Sequence, residues 1–517
     1  MRKTNRRASR VGGFFISMLS VGLLMLLTGC GPEVHNDKLV FRYNEPAGIP
    51  TLDPAFAKDK STIWAVQQVF EGLVSLDASN RIVPALALNW SQSEDLKGYT
   101  FHLRETKFHT GRTLEAKDVL FSFRRLLDPA VASPGSWVLS DVDSMAVVDE
   151  RTFYIELKRP VPTFLSMLAM PYCSVVDSEV LDHATQPSGT GPFLLHRWHF
   201  GEKLVMHRNP TYWQKDSSAV ALPYLDGLSI SFLPDQQSAF LEYLNGRFDM
   251  LPNLDPSFKD ELLNEEGSLR QKHEVANRLE RSPFLNTEYL VFNAENELPQ
   301  DLRWAINAGV DRKTMISKLR NGVGIPAFGG IIPAGLPEYS ACGVPYAPDS
   351  ARKIIEGYVE LPELELVTVA NYRDLCEFVQ GALSSLGWSI AVNVVPSATL
   401  RAEKGTGSLA FFRASWIADY PDAENYLMLF YSGMQAPHGP NYSRYTNPQF
   451  DALYEQIAAL PVGEQRSRLM MEADSFLMKD AALVPLFYDE VLRVFPKNVS
   501  GVSTNALNAL DLRRARK

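Results

Sequence analysis

Residues 408–431, SLAFFRASWIADYPDAENYLMLFY, run from an apolar segment into a turn crowded with acids and aromatics. The spacing predicts a buried strand over Leu409–Trp416, because a short continuous apolar run bounded by turn residues fits a strand covered on both faces. Asp419, Tyr420, Pro421 and Asp422 then form the turn at its carboxyl end, which is where open α/β sheets place their ligands. Arg413 and Asp419 carry opposite charges six residues apart. A zwitterionic ligand could use the first for its carboxylate and the second for its ammonium, with Trp416, Tyr420 and Tyr426 as pocket walls. The alternative is that both charges pair within the protein and the rings pack a core.

Outward from this block the chain alternates strands and helices. Strands are predicted at Lys38–Tyr43, Tyr99–Leu103, Thr152–Leu157, Lys203–His207, Leu228–Leu233, Glu288–Phe292 and Leu483–Tyr488. Helices are predicted at Ser61–Gly72, Leu114–Leu127, Ser238–Leu244, Asp301–Gly309 and Gly463–Met478. The order implies α/β lobes. Gln186-Pro187-Ser188-Gly189-Thr190-Gly191-Pro192 marks a sharp junction, read as a domain hinge because the glycines lead into an extended run.

The first 30 residues stand apart from the fold. Arg2, Lys3, Arg6, Arg7 and Arg10 precede an apolar run from Phe14 to Leu27, shorter than the roughly 20 residues of a membrane-spanning helix. That is a secretory signal, and it ends in Leu27-Thr28-Gly29-Cys30, which resembles a bacterial lipobox; Cys30 is the expected lipidation site. The formal net charge of −9, with no basic block beyond the signal, argues against nucleic acid as a partner. Cys173, Cys342 and Cys376 are expected to be buried and inert, since no CxxC pair suggests zinc or thiol redox chemistry.

Motifs for catalysis are missing: the sequence has no GxSxG, HExxH or GxxxxGK[ST]. His196 and His199 sit three apart on a predicted strand, so they point to opposite faces and share no metal. No enzyme activity, cofactor or metal is expected.

Thr51-Leu52-Asp53-Pro54, Phe70-Glu71-Gly72-Leu73, Tyr99-Thr100-Phe101-His102-Leu103-Arg104, Ala116-Lys117-Asp118-Val119 and Gly189-Thr190-Gly191-Pro192-Phe193 follow in order. Arg208-Asn209-Pro210, Gly246-Arg247-Phe248-Asp249, Phe292-Asn293, Arg303-Trp304-Ala305-Ile306-Asn307 and Trp416–Asp422 complete the set. This series resembles the family 5 extracellular solute-binding proteins, which include the oligopeptide and dipeptide binders of ABC importers. The resemblance implies a two-lobed periplasmic-binding-protein fold of type II with an extra inserted domain and a ligand cleft between the lobes. Its boundaries are 1–30 signal; 31–69, 186–285 and 486–517 lobe 1; 70–185 inserted domain; 286–485 lobe 2. It maps the peptide ammonium to Asp419 and a short peptide's carboxylate to Arg413, and adds Trp416, Tyr420, Tyr289 and Asn293 as ligand-binding candidates. A glutamate that some oligopeptide binders carry shortly before the LDP motif has no counterpart in Ala47–Pro50. The implied partners are a small peptide, membrane permease subunits and a lipid anchor at Cys30, with the protein a monomer. Hinges are expected near Thr185–Gly191 and Leu483–Tyr488. Nickel, haem or oligosaccharide in the same transport role is the alternative, and a secreted hydrolase or chaperone-like protein is the reading from another class.

Overall fold

The computed structural model describes residues 39–517, without the side chains of Pro256 and Ser257; the signal segment and Cys30 lie outside the described residues. Lobe 1 is built on a four-stranded sheet in the order Val40–Asn44, Gly227–Ser231, Lys203–Arg208, Phe193–His199, with the first pair parallel and the others antiparallel. Side chains alternate across it, so Phe41, Tyr43, Leu204, Met206, Leu228 and Ile230 enter one core. Trp64, Val66 and Val69 of helix Lys60–Val69 pack there too, and Asp59 caps that helix by accepting the Thr62 N–H at 3.0 Å.

A second core lies under the antiparallel sheet Ala87–Gln92, Gly98–Leu103, Thr152–Leu157, Val142–Asp149, covered by helix Ala116–Leu127. The largest core surrounds the six-stranded sheet of lobe 2. Its order is Ile325–Pro326, Leu483–Pro496, Asn277–Phe292, Phe411–Ile417, Glu365–Thr368, Ala391–Val394.

Two strands reach from one lobe into the other. Asn277–Phe292 and Leu483–Pro496 pair antiparallel, with Phe495 in the lobe 1 core and Leu290, Leu483 and Phe487 in the lobe 2 core. Between the cores the ladder slips: Pro283 faces Glu490 and Thr287 faces Tyr488, so Phe284, Leu285 and Asn286 on one strand oppose Asp489 alone on the other. Pro283 has no N–H to give to the ladder, and an unpaired stretch of this kind is where a paired ribbon bends. Thr287 Oγ1 donates to the Ile331 carbonyl at 2.8 Å and the Tyr488 hydroxyl to the Gly330 carbonyl at 2.9 Å, pinning a lobe 2 loop to both strands at one edge of the slip.

These crossings correct the hinge expected at Thr185–Gly191. A β-carbon on Gly189 would lie 2.1 Å from the Val69 carbonyl oxygen, and the Gly191 N–H donates to that oxygen at 2.9 Å. The glycines therefore serve a close backbone approach at the seam between lobe 1 and the inserted domain. Both long strands also run further than their sequence suggested. Arg278, Glu280, Arg281, Asp489 and Glu490 break the apolar pattern where the ribbon leaves the cores.

No disulfide joins the described cysteines. Cys173 and Cys376 are buried, whereas Cys342 is only half-buried, its thiol 3.6 Å from Asp474.

Candidate ligand-binding site

Strand Phe411–Ile417 lies beside Asn277–Phe292 with Arg413 opposite Leu290 and Ser415 opposite Glu288. Alternation puts Arg413, Ser415 and Ile417 on the face shared with Glu288 and Asn286; Ala414 and Trp416 take the other face, opposite Tyr289 and Thr287. Ile417 is 54% exposed, although it ends an otherwise buried strand. The turn follows immediately.

Three carboxylates in that turn have different fates. Asp422 holds Arg466 through two hydrogen bonds of 2.7 and 3.0 Å, and Glu424 accepts from the hydroxyls of Tyr420 (2.9 Å) and Tyr454. Asp419 has no ion-pair partner among the described residues. Its backbone N–H donates to Asn425 Oδ1 at 3.2 Å, and the same oxygen accepts from Trp416 Nε1 at 2.8 Å, so one amide orients the turn and the indole together. Asp419 is exposed as a residue, yet the protein around it shields the carboxyl from water and pushes it above the usual carboxylate range. Across from it stands the inserted domain. The Tyr172 hydroxyl there is held above its usual range by burial first, then by the charge of Asp419 and of Asp59, the cap of the lobe 1 helix. The charges of Asp419 and Asp59, from different lobes, thus both bear on one tyrosine.

Arg413 is not free. Only 9% exposed, it donates from Nε to Glu288 Oε2 at 2.9 Å and again from its terminal nitrogen, and its guanidinium lies 3.3 Å from the Tyr372 ring centre. Burial raises the Glu288 carboxyl while Arg413 opposes the rise; burial followed by Arg413 lowers the nearby Lys404 to about 8. The four residues of strand from Arg413 to Ile417 cover about 13 Å before the turn. Of the two opposite charges expected to face a ligand, Asp419 is open and Arg413 is committed to Glu288.

The other candidates divide. Trp416 is half-buried beside Asn425, whereas Tyr420 is buried with its hydroxyl used by Glu424. Tyr289 is buried on the face away from Glu288, and Tyr426 is fully enclosed in the lobe 2 core. Asn293 lies at the far end of its strand from the turn, donating to the Gly407 carbonyl at 2.9 Å and accepting from the Glu295 N–H at 3.0 Å. About 20 Å of strand separates it from Asp419, so it organises a loop remote from the turn. Sequence reasoning did not single out Glu288, Tyr372, Asn425, Asp59 or Tyr172. Asn425 lies six residues from Asp419 and Asp59 precedes a recognisable helix start, but only the fold brings Tyr172 near.

Two α/β lobes joined by a paired-strand ribbon, with a strand-end carboxylate that has no ion pair among the described residues, give the architecture of a two-lobed binding protein. The model for bacterial extracellular solute-binding proteins, family 5 Middle, matches residues 81–437, and the chain belongs to that family. It is similar to the probable deoxycholate-binding periplasmic protein YgiS of Escherichia coli, 28% identical over 89% of this chain and 90% of the relative. It is also similar to the periplasmic oligopeptide-binding protein OppA of Salmonella typhimurium, 27% identical over 87% of each. The structure of HbpA2 from Haemophilus parasuis shares its fold, with a TM-score of 0.82 at 23% identity over 92% of this chain and 99% of that one. No helix among the described residues is long and apolar enough to cross a membrane.

Proposed function

We propose that this protein captures small peptides between its lobes outside the cytoplasmic membrane and hands them to the permease of an ABC importer, itself held at the membrane by a lipid on Cys30. The observation that carries the peptide reading is Asp419: a carboxylate at the end of a lobe 2 strand, shielded from water, unpaired, and within electrostatic reach of Tyr172 in the inserted domain. An α-ammonium group supplies the missing charge and three donors. The oligopeptide-binding relative supports the same reading. Arg413 stays paired with Glu288 in this scheme and supports the strand that carries Asp419.

Calorimetry with tri- to pentapeptides tests the assignment. Asp419→Asn keeps the side chain's size and removes its charge. Stripping one partner from a desolvated charge pair costs roughly 2 to 5 kcal/mol, or about 30-fold to several thousand-fold in affinity. Acetylating the peptide's N-terminus should weaken the wild type strongly and the variant little, because both changes delete one interaction. A tight ligand that the folded variant binds within about twofold of wild type would sink the peptide reading. The anchor has its own test: Cys30→Ser should move the protein from the membrane fraction to the soluble one.

A further inference from the structure

The four strands of the lobe 1 sheet, Val40–Asn44, Phe193–His199, Lys203–Arg208 and Gly227–Ser231, contain no aspartate or glutamate, in a chain whose net charge is −9. Their register sets Arg42 beside Ser229, Val205 and Arg197, and Asn44 beside Ser231, Lys203 and His199, all on the face away from the core. His196 stacks on His207 in the adjoining row, ring centres 3.9 Å apart. Arg112, Arg125, Arg281, Arg320 and Arg413 each pair with a carboxylate, whereas Arg42, Arg197 and Lys203 have no ion pair among the described residues. Arg42 and Lys203 with Ser229 and Ser231 line a hollow of about 550 Å³, whose rim includes Glu202 and an Arg247–Glu242 pair at 3.2 Å. The exposed Phe200 at the hairpin tip stacks on Trp198 at 4.2 Å on the opposite side of the sheet, where Trp198 packs against the lobe 1 core.

We propose that this face docks on the surface of an anionic phospholipid bilayer, with Arg42, Arg197 and Lys203 over the headgroups. Cations without ion pairs among the described residues, spread across one face of a sheet, match the electrostatic attraction a peripheral protein uses. The position of the chain's entry points to the same occupant. The first strand begins at Val40, in the row of Gly227 and His207, and Val40 stands ten positions after Cys30. Fully extended, ten residues span at most about 35 Å, so a lipid at Cys30 keeps this face near the membrane. That proximity rests on the proposed anchor, whereas the electrostatics do not.

Residues 40–517, which hold all four hydrophobic cores, can be tested without a lipid by co-sedimentation with vesicles. The expected result is binding to vesicles of phosphatidylcholine with 30 mol% phosphatidylglycerol in about 50 mM salt, none to phosphatidylcholine alone, and loss of binding in about 500 mM salt as the charges are screened. Each basic residue near such a surface contributes about fivefold in affinity, so Arg42→Gln/Arg197→Gln/Lys203→Gln should weaken binding roughly a hundredfold. Lys318→Gln/Arg352→Gln/Lys353→Gln makes the same charge change on exposed lobe 2 residues and should leave it unaltered. Absence of binding to anionic vesicles, or equal losses in the two triple variants, overturns the proposal. Because the assay uses unlipidated protein, a failed anchor assignment at Cys30 leaves its outcome unchanged.

Discussion

Asp474 lies on helix Glu464–Lys479 with no exposed surface, accepting the Ile331 N–H at 2.7 Å next to the Cys342 thiol. Burial raises its carboxyl to about 7, against the lowering pull of the Ile331 amide and its neighbours. The folded state therefore holds a proton that the unfolded chain gives up above about pH 4. This contribution is complete below that pH, declines as pH rises to 7 and is flat beyond, a span on the order of 4 kcal/mol. Urea midpoints taken from pH 5 to 8 should fall for wild type and stay nearly level for Asp474→Asn. Glu288 presents the opposite problem, a buried charge that needs its partner. Glu288→Ala strands the Arg413 guanidinium under Tyr372 and should cost about 3 to 5 kcal/mol, measured by the same method. Glu288→Gln, which keeps the hydrogen bond, should cost less.

The seam at Gly189 and the slipped ribbon at Pro283–Thr287 differ in what they permit. An alanine at Gly189 meets the Val69 carbonyl and has to displace backbone, so Gly189→Ala should destabilise the protein by about 1 to 3 kcal/mol while leaving ligand-driven closure intact. A closure transition lost in that variant, measured by scattering, would return the hinge to the glycines. Both elements were partly legible in sequence. The Gly189-Thr190-Gly191 cluster was legible as unusual backbone but not as a close approach to Val69, because glycine serves close approach as readily as freedom. Strand Leu483–Tyr488 was recognisable as an apolar run, yet its continuation through Asp489, Glu490 and Arg493 was not. These residues pair with Arg320, Arg281 and the Asn508 side chain, contacts that depend on distant segments. Asp419 could be read from its own turn. The commitment of Arg413 to a strand 125 residues away could not.

At the scale of the molecule, two crossings bonded to each other leave the lobes one direction in which to approach, and ligand burial requires that approach. Saturation with a tight peptide should reduce the radius of gyration in solution scattering; an unchanged radius would count against closure. Lobe 1 has a further property, set by where its pieces lie along the chain. Trp64 Nε1 donates to the Asn508 carbonyl at 2.7 Å, Gln68 to the Leu510 carbonyl at 2.8 Å, and Lys517 Nζ to the Val40 carbonyl at 2.9 Å and to Asp249. The first strand and helix of the fold thus wait for the last residues described, whereas the central stretch of lobe 2 can collapse on its neighbours much earlier. During synthesis the leading part therefore lacks these closing contacts until the last described residues have emerged.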